Sequence, residues 1–130
     1  MILDSSFIID LLQGRNAQAL ERAHELDAKF IQRAISSVTA FEVWKGIART
    51  GNSHEKEKVE RLISSLIIYS FGIEEGKIAA YIEADLEKRG EIIDLEDIFI
   101  AATAIHQRET LLTKNQKHFR KIAGLNIETY

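Results

Sequence analysis

The 130-residue chain has no cysteine and no proline, and only one methionine and one tryptophan. Without cysteine there are no disulfides, no thiolate metal ligands and no thiol nucleophile, a composition that suits a reducing, cytoplasmic setting. Basic residues are also in deficit: 17 Lys and Arg stand against 20 Asp and Glu, giving a net charge of -3. Proteins held to nucleic acid by bulk electrostatics carry the opposite sign, because phosphate contacts need Lys and Arg. A nucleic-acid role here would have to be local, or helped by bound cations. Long apolar runs are missing too. The opening MILDSSFIID has a carboxylate inside its first apolar stretch and no basic segment before it, which argues against a signal peptide or membrane anchor. No repeat, low-complexity tract or Pro- or Ser-rich linker interrupts the chain, and 45% hydrophobic residues suffice to bury a core. The expectation is one soluble domain over residues 1–130.

What the sequence does hold is an alternation. Short β-compatible runs occur as MIL at the start, AISSV at 34–38, LIIYSF at 66–71, TLLT at 110–113 and LNIETY at the end. Between them lie the helical periodicities of SFIIDLLQG, NAQALERAHELDA, TAFEVWKGIARTG, SHEKEKVERLIS, IEEGKIAAYIEADLEKRG and EDIFIAATAIHQRE. This order predicts an α/β fold with a mostly parallel sheet covered on both faces by helices. In such sheets, sites form beyond the carboxyl ends of the strands.

Three of those junctions carry an acid. Asp4 follows MIL and precedes a helix that Gly14 stops; with Ser5 and Ser6 it is also an ordinary N-cap cluster. Asp10 is six residues on, roughly 240° around the helix, and is expected at the surface or behind the site. Thr39 and Glu42 have the spacing of a capping box, and Val38 with Val43 that of a hydrophobic staple. In DLEDIFIAATAI, Asp94 reads as the N-cap, Glu96 as a first-turn charge and Asp97 as N3, with Ile93 and Ile98 as the staple. Capping accounts for each acid singly, but not for three of a kind. Carboxylates gathered in one pocket repel one another, and a hard cation such as Mg²⁺ or Mn²⁺ relieves that repulsion. Such a set suits phosphoryl chemistry, in which the ion activates a water and stabilises the leaving oxygen.

Taken together, MILDSSFIIDLL, ISSVTAFEVWKGI, DIFIAATAI and LLTKNQKHFRKIAGLNIETY resemble the four successive motifs of PIN-domain ribonucleases, in the branch of VapC-type toxins, over essentially the whole chain. The resemblance implies a three-layer α/β/α sandwich with a central mostly parallel sheet. It also implies a Mg²⁺- or Mn²⁺-dependent endoribonuclease that hydrolyses RNA, acts as a homodimer and is neutralised by a small antitoxin protein. By position it makes Asp4, Glu42 and Asp97 catalytic acids and metal ligands, puts Asn115 in the fourth catalytic place, and leaves Asp94 and Thr113 in support. The chain departs from the family pattern there, because Asn115 is neutral and Lys117 and His118 stand where a fourth carboxylate would be sought. Asn115 can coordinate through its carbonyl oxygen, position a water, or cap the helix that follows, and Thr113 can hydrogen-bond a ligand carboxylate.

Lys114, Lys117, His118, Arg120 and Lys121 form the densest basic run, and Lys45 and Arg49 follow Glu42 on its own helix face. Lys45, Arg49, Lys114 and Lys117 are candidate RNA contacts, with a solvated helix face as the plainer explanation. His106 and His118 are expected at the surface, and Trp44 and the six Phe mainly in the core. Rival functions fail on particular residues. A phospho-receiver needs paired acids after the first strand, a phosphatase with an aspartyl nucleophile needs a second Asp at position 6, and no GxxxxGK followed by Ser or Thr supports a P-loop NTPase. The alternative that survives is a catalytically weak or inactive PIN-like binding and dimerisation module, kept open by the neutral Asn115.

Overall fold

A computed structural model describes residues 1–130. Five short strands, β1 (Ile2–Leu3), β2 (Ala34–Ser36), β3 (Ile67–Tyr69), β4 (Leu111–Leu112) and β5 (Ile127–Glu128), form one parallel sheet in the order β3-β2-β1-β4-β5. Seven helices fill the connections: α1 (Ser5–Gln13), α2 (Ala17–Ala28), α3 (Ser37–Thr50), α4 (Ser53–Ser64), α5 (Ile73–Lys88), α6 (Leu95–Gln107) and α7 (Gln116–Phe119). None is long and apolar enough to cross a membrane.

The three inner strands β2, β1 and β4 serve both faces with very few residues. Ile2, Ala34 and Leu111 point into a layer shared with Ile82 and Leu86 of α5, Ile98 and Ile100 of α6, and Phe119 of α7. Leu3, Ile35 and Leu112 point the other way, against Phe7 and Ile8 of α1, Leu26 of α2, Val43 of α3 and Val59 of α4. This period of two produces the expected three-layer α/β/α sandwich. The chain runs outward from β1 through β2 to β3, and β4 then pairs on the other side of β1. The order therefore reverses beside β1, and a crevice opens beyond the carboxyl ends of β1 and β4. Pairing of Ile2 with Leu111 and Leu3 with Leu112 sets Asp4 and Thr113, the next residues of each strand, side by side.

Several local expectations need correction. The strands are shorter than their apolar runs, because α3 starts at Ser37. Ser36 is its N-cap, accepting the Val38 N–H at 3.2 Å, so Glu42 lies beyond the first turn and no Thr39–Glu42 capping box forms. Thr39 is instead fully buried, and its hydroxyl has no partner. Asp94 holds the N-cap position of α6, yet its carboxylate makes no capping hydrogen bond. Ser36 competed successfully because its hydroxyl sits at the point where the strand ends; it also lies 3.2 Å from the Thr103 hydroxyl of α6. That buried contact ties α6 to the end of β2. Not every Phe is core: Phe30 is 95% exposed and Phe41 55% exposed.

Phe119 is fully buried and pins the short α7, which follows Asn115. Phe119→Ala is expected to destabilise by about 3–5 kcal/mol, read as a lower urea midpoint with an unchanged slope.

Candidate active site

Asp4 is 3% exposed at the end of the central strand. It accepts the Ser5 N–H at 2.8 Å, the Ser6 hydroxyl at 2.7 Å and the Thr113 hydroxyl at 2.7 Å. It is thus an N-cap of α1 and, through Thr113, a link across the crevice. The Thr113 hydroxyl in turn accepts the Asn115 N–H at 2.9 Å, which folds the turn after β4 back on itself. Asn115 occupies the N-cap position of α7, but its side chain makes no cap bond. It lies instead 2.8 Å from His118 Nδ1 and 3.5 Å from Asp97 Oδ2.

Asp97 projects from the first turn of α6, with His118 Nδ1 at 2.9 Å from its Oδ2. Burial pushes the Asp97 carboxyl above its ordinary value; the His118 hydrogen bond opposes this, while the charges of Asp4 and Asp94 add to it. Glu42 reaches the same place from α3. Its Oε2 is buried without any hydrogen-bond partner. Burial again raises its carboxyl, the Ser5 hydroxyl opposes, and Asp4, Asp97 and Glu96 contribute repulsion. The structure therefore brings Asp4, Glu42 and Asp97 into mutual electrostatic reach. The tightest grouping, however, is Asp94, Asp97 and His118, each offering one ligand atom within 4.8 Å of the others. His118, expected at the surface, stands among the acids; the signal that could have found it was its place where the family pattern would have a fourth carboxylate.

Of the two places expected for Asp10, the surface is excluded. It is 7% exposed and accepts Lys114 Nζ on both oxygens at 3.0 Å, Asn16 Nδ2 at 2.9 Å and the Tyr130 hydroxyl at 2.9 Å. Burial alone would raise this carboxyl, but those donors outweigh it and hold it below the usual range. Lys114 is accordingly committed to Asp10, and Lys121 to Glu91 at 2.6 Å. Lys117 and Arg120 are exposed and make no ion pair. On α3, Lys45 Nζ lies over the Phe41 ring, 5.4 Å from its centroid, and Arg49 is exposed. An apolar groove of about 360 Å³ between α1, α3 and α4 touches the acids only at Glu42.

The donor set around the crevice is rich in carboxylate oxygen, includes one buried oxygen with no partner, and contains two acids whose ionised forms the protein disfavours. These are the features a hard divalent cation would compensate, and the ligand atoms spaced closely enough to share one are those of Asp94, Asp97 and His118.

Residues 1–125 match the PIN domain family. Ribonuclease VapC1 of Rickettsia felis is 35% identical, aligned over 99% of this chain and 95% of its own length. Among solved structures, VapBC2 from Rickettsia felis bound to a DNA fragment from its promoter superposes with a TM-score of 0.90 at 26% identity, over 99% of this chain and 97% of that one. A toxin–antitoxin complex from Klebsiella pneumoniae superposes with a TM-score of 0.74 at 27% identity, over 95% of this chain and 93% of that one.

Raised carboxyls bind protons more readily in the folded chain than in the unfolded one. Glu42 and Asp97 therefore oppose folding when ionised, and that penalty fades as pH falls through their raised values toward the ordinary carboxylate range. In chelator, Glu42→Gln is expected to raise Tm at neutral pH and to leave it nearly unchanged at about pH 3, below the ordinary glutamate value, where both states are protonated. Asp97→Asn is expected to be neutral or stabilising under the same conditions. A loss of about 0.5–2 kcal/mol in Asp97→Asn would instead mark a capping role.

Proposed function

The chain belongs to the PIN domain family, and from that premise we propose that it is a ribonuclease of the VapC kind, the toxin half of a toxin–antitoxin pair, cleaving RNA phosphodiester bonds with a bound Mg²⁺ or Mn²⁺. The observation that supports this reading is the electrostatic coupling of Asp4, Glu42 and Asp97, with one Glu42 oxygen buried and unpaired. A divalent ion held there supplies an activated water and charge stabilisation for the leaving oxygen.

The chain's own residues supply the rest. Thr113 and Ser6 fix the Asp4 carboxylate so that it meets its ligand without reorganising. Glu42 and Asp97 bring charge whose folding cost is recovered on binding. Asn115, anchored through its backbone to Thr113, directs its amide toward Asp97 and is placed to orient a water or a scissile phosphate. Lys117 and Arg120 on one side, and Lys45 and Arg49 on the other, remain available for flanking RNA phosphates, which reconciles a net charge of -3 with a polyanionic substrate. Lys114 serves this role less well, being bonded to Asp10.

The partner in this reading is a small antitoxin protein, supported by the likeness to the Klebsiella pneumoniae toxin–antitoxin complex. A cytoplasmic homodimer completes it. Purified protein incubated with RNA is expected to cleave it in Mg²⁺ or Mn²⁺ and not in chelator. Thr113→Val should lose roughly 10–100-fold in rate, and Asp4→Asn and Asp97→Asn should lose more than that. Cleavage that persists unchanged in both Asp variants would overturn the site. A wild type inert with either ion would favour the binding-module alternative.

A further inference from the structure

His118 brings a nitrogen to Asp97, where the other candidate ligands carry oxygen. His118 Nδ1 lies 2.9 Å from Asp97 Oδ2. Neighbouring ligand atoms on an octahedral ion with bonds of roughly 2.1 Å are about 3 Å apart, so this pair already has the spacing of one edge of such a site. Asp94 offers a third ligand atom within 4.8 Å of both. Two partners converge on the same ring nitrogen, since Asn115 Nδ2 lies 2.8 Å from it. As N–H, Nδ1 donates to Asp97; as a lone pair, it accepts from Asn115. The second form is the one that ligates metals. His118 is not a freely swinging surface side chain either. The next residue, Phe119, is fully buried, and the ring itself is only 35% exposed.

We propose that Asp94, Asp97 and His118 form a mixed oxygen and nitrogen cation site in which His118 Nδ1 is a direct ligand, biasing this chain from Mg²⁺ toward Mn²⁺. The inference rests on Asp97 being a metal ligand and adds the nitrogen donor. Mg²⁺ is served by carboxylates and waters, whereas imidazole suits later and softer ions. A fourth carboxylate at this place would have added charge to acids that already repel one another. A neutral imidazole adds a ligand and no charge, so it completes a coordination shell without raising its neighbours further.

The test uses the purified full chain stripped of metal and titrated with Mn²⁺ or Mg²⁺. Pulsed paramagnetic resonance of bound Mn²⁺ is expected to show the nitrogen coupling of a directly bound imidazole, lost in both His118→Ala and His118→Gln. The preference for Mn²⁺ over Mg²⁺, taken as a ratio of Kd values, is expected to fall about tenfold in both variants. Two variants that both retain the wild-type circular dichroism separate ligand loss from misfolding. Mn²⁺ binding without nitrogen coupling, or with an unchanged ratio in the variants, would overturn His118 as a ligand and leave the carboxylate site standing. No Mn²⁺ binding by the wild type would overturn both readings.

Discussion

The Asp4 carboxylate, almost wholly removed from water at the end of the central strand, must have its lone pairs satisfied by the protein, because an unpaired buried charge costs several kcal/mol. Its donors come from two directions: the first turn of α1 and the end of β4. The pairing of β1 with β4 is thereby tied to the placement of the site. A slip of one residue would turn Leu3 and Leu112 to the wrong face and carry Thr113 away from Asp4. Thr113 extends the constraint by taking the Asn115 N–H, and Asn115 and His118 then reach Asp97 on α6. One hydrogen-bonded path thus joins the centre of the sheet to an acid on a different layer.

Much of this was legible in the sequence, because the legible parts depend on local pattern. Strand and helix order followed from apolar periodicity, and the three acids near helix starts were visible as Asp4, Glu42 and Asp97, although only Asp4 directly follows a strand and α6, which carries Asp97, follows α5. The failures share a cause. Ser36 rather than Thr39 caps α3, because where a strand stops is decided by sheet pairing and not by the residues beside it. Helical geometry left Asp10 either at the surface or behind the site, and the nearby Asn16 with the distant Lys114 and Tyr130 closes over it and buries it. His118 meets Asp97 across 21 residues, and Asp94 has the cap position without the cap bond. Each miss is a tertiary contact that overrode a local rule.

Asp10 and Asp97 make a useful contrast, being the same residue type in similarly buried settings. Asp10 is surrounded by donors and a cation, and its carboxyl is held low. Burial pushes the Asp97 carboxyl up, the charges of Asp4 and Asp94 add to that, and the one hydrogen bond from His118 does not offset them. The first pattern stabilises a fold. The second is a local cost that folding alone would not favour, and such costs persist where they serve binding or chemistry. The distribution of cations follows the same division: Lys114 is drawn to the structural acid, while Lys117 stays free beside the crevice.

The hydrogen bond from Thr113 to Asp4 spans 109 residues of chain. A ribosome makes Thr113 those 109 residues after Asp4, at about 5–20 residues per second. Through most of that time β1 lacks its neighbour on one side, the Asp4 carboxylate lacks a donor, and His118 does not yet exist to meet Asp97. A nascent chain therefore carries the acids for most of its synthesis without the hydrogen bonds that fix them, and the arrangement around Asp4 and Asp97 assembles only once the β4–α7 turn has been made.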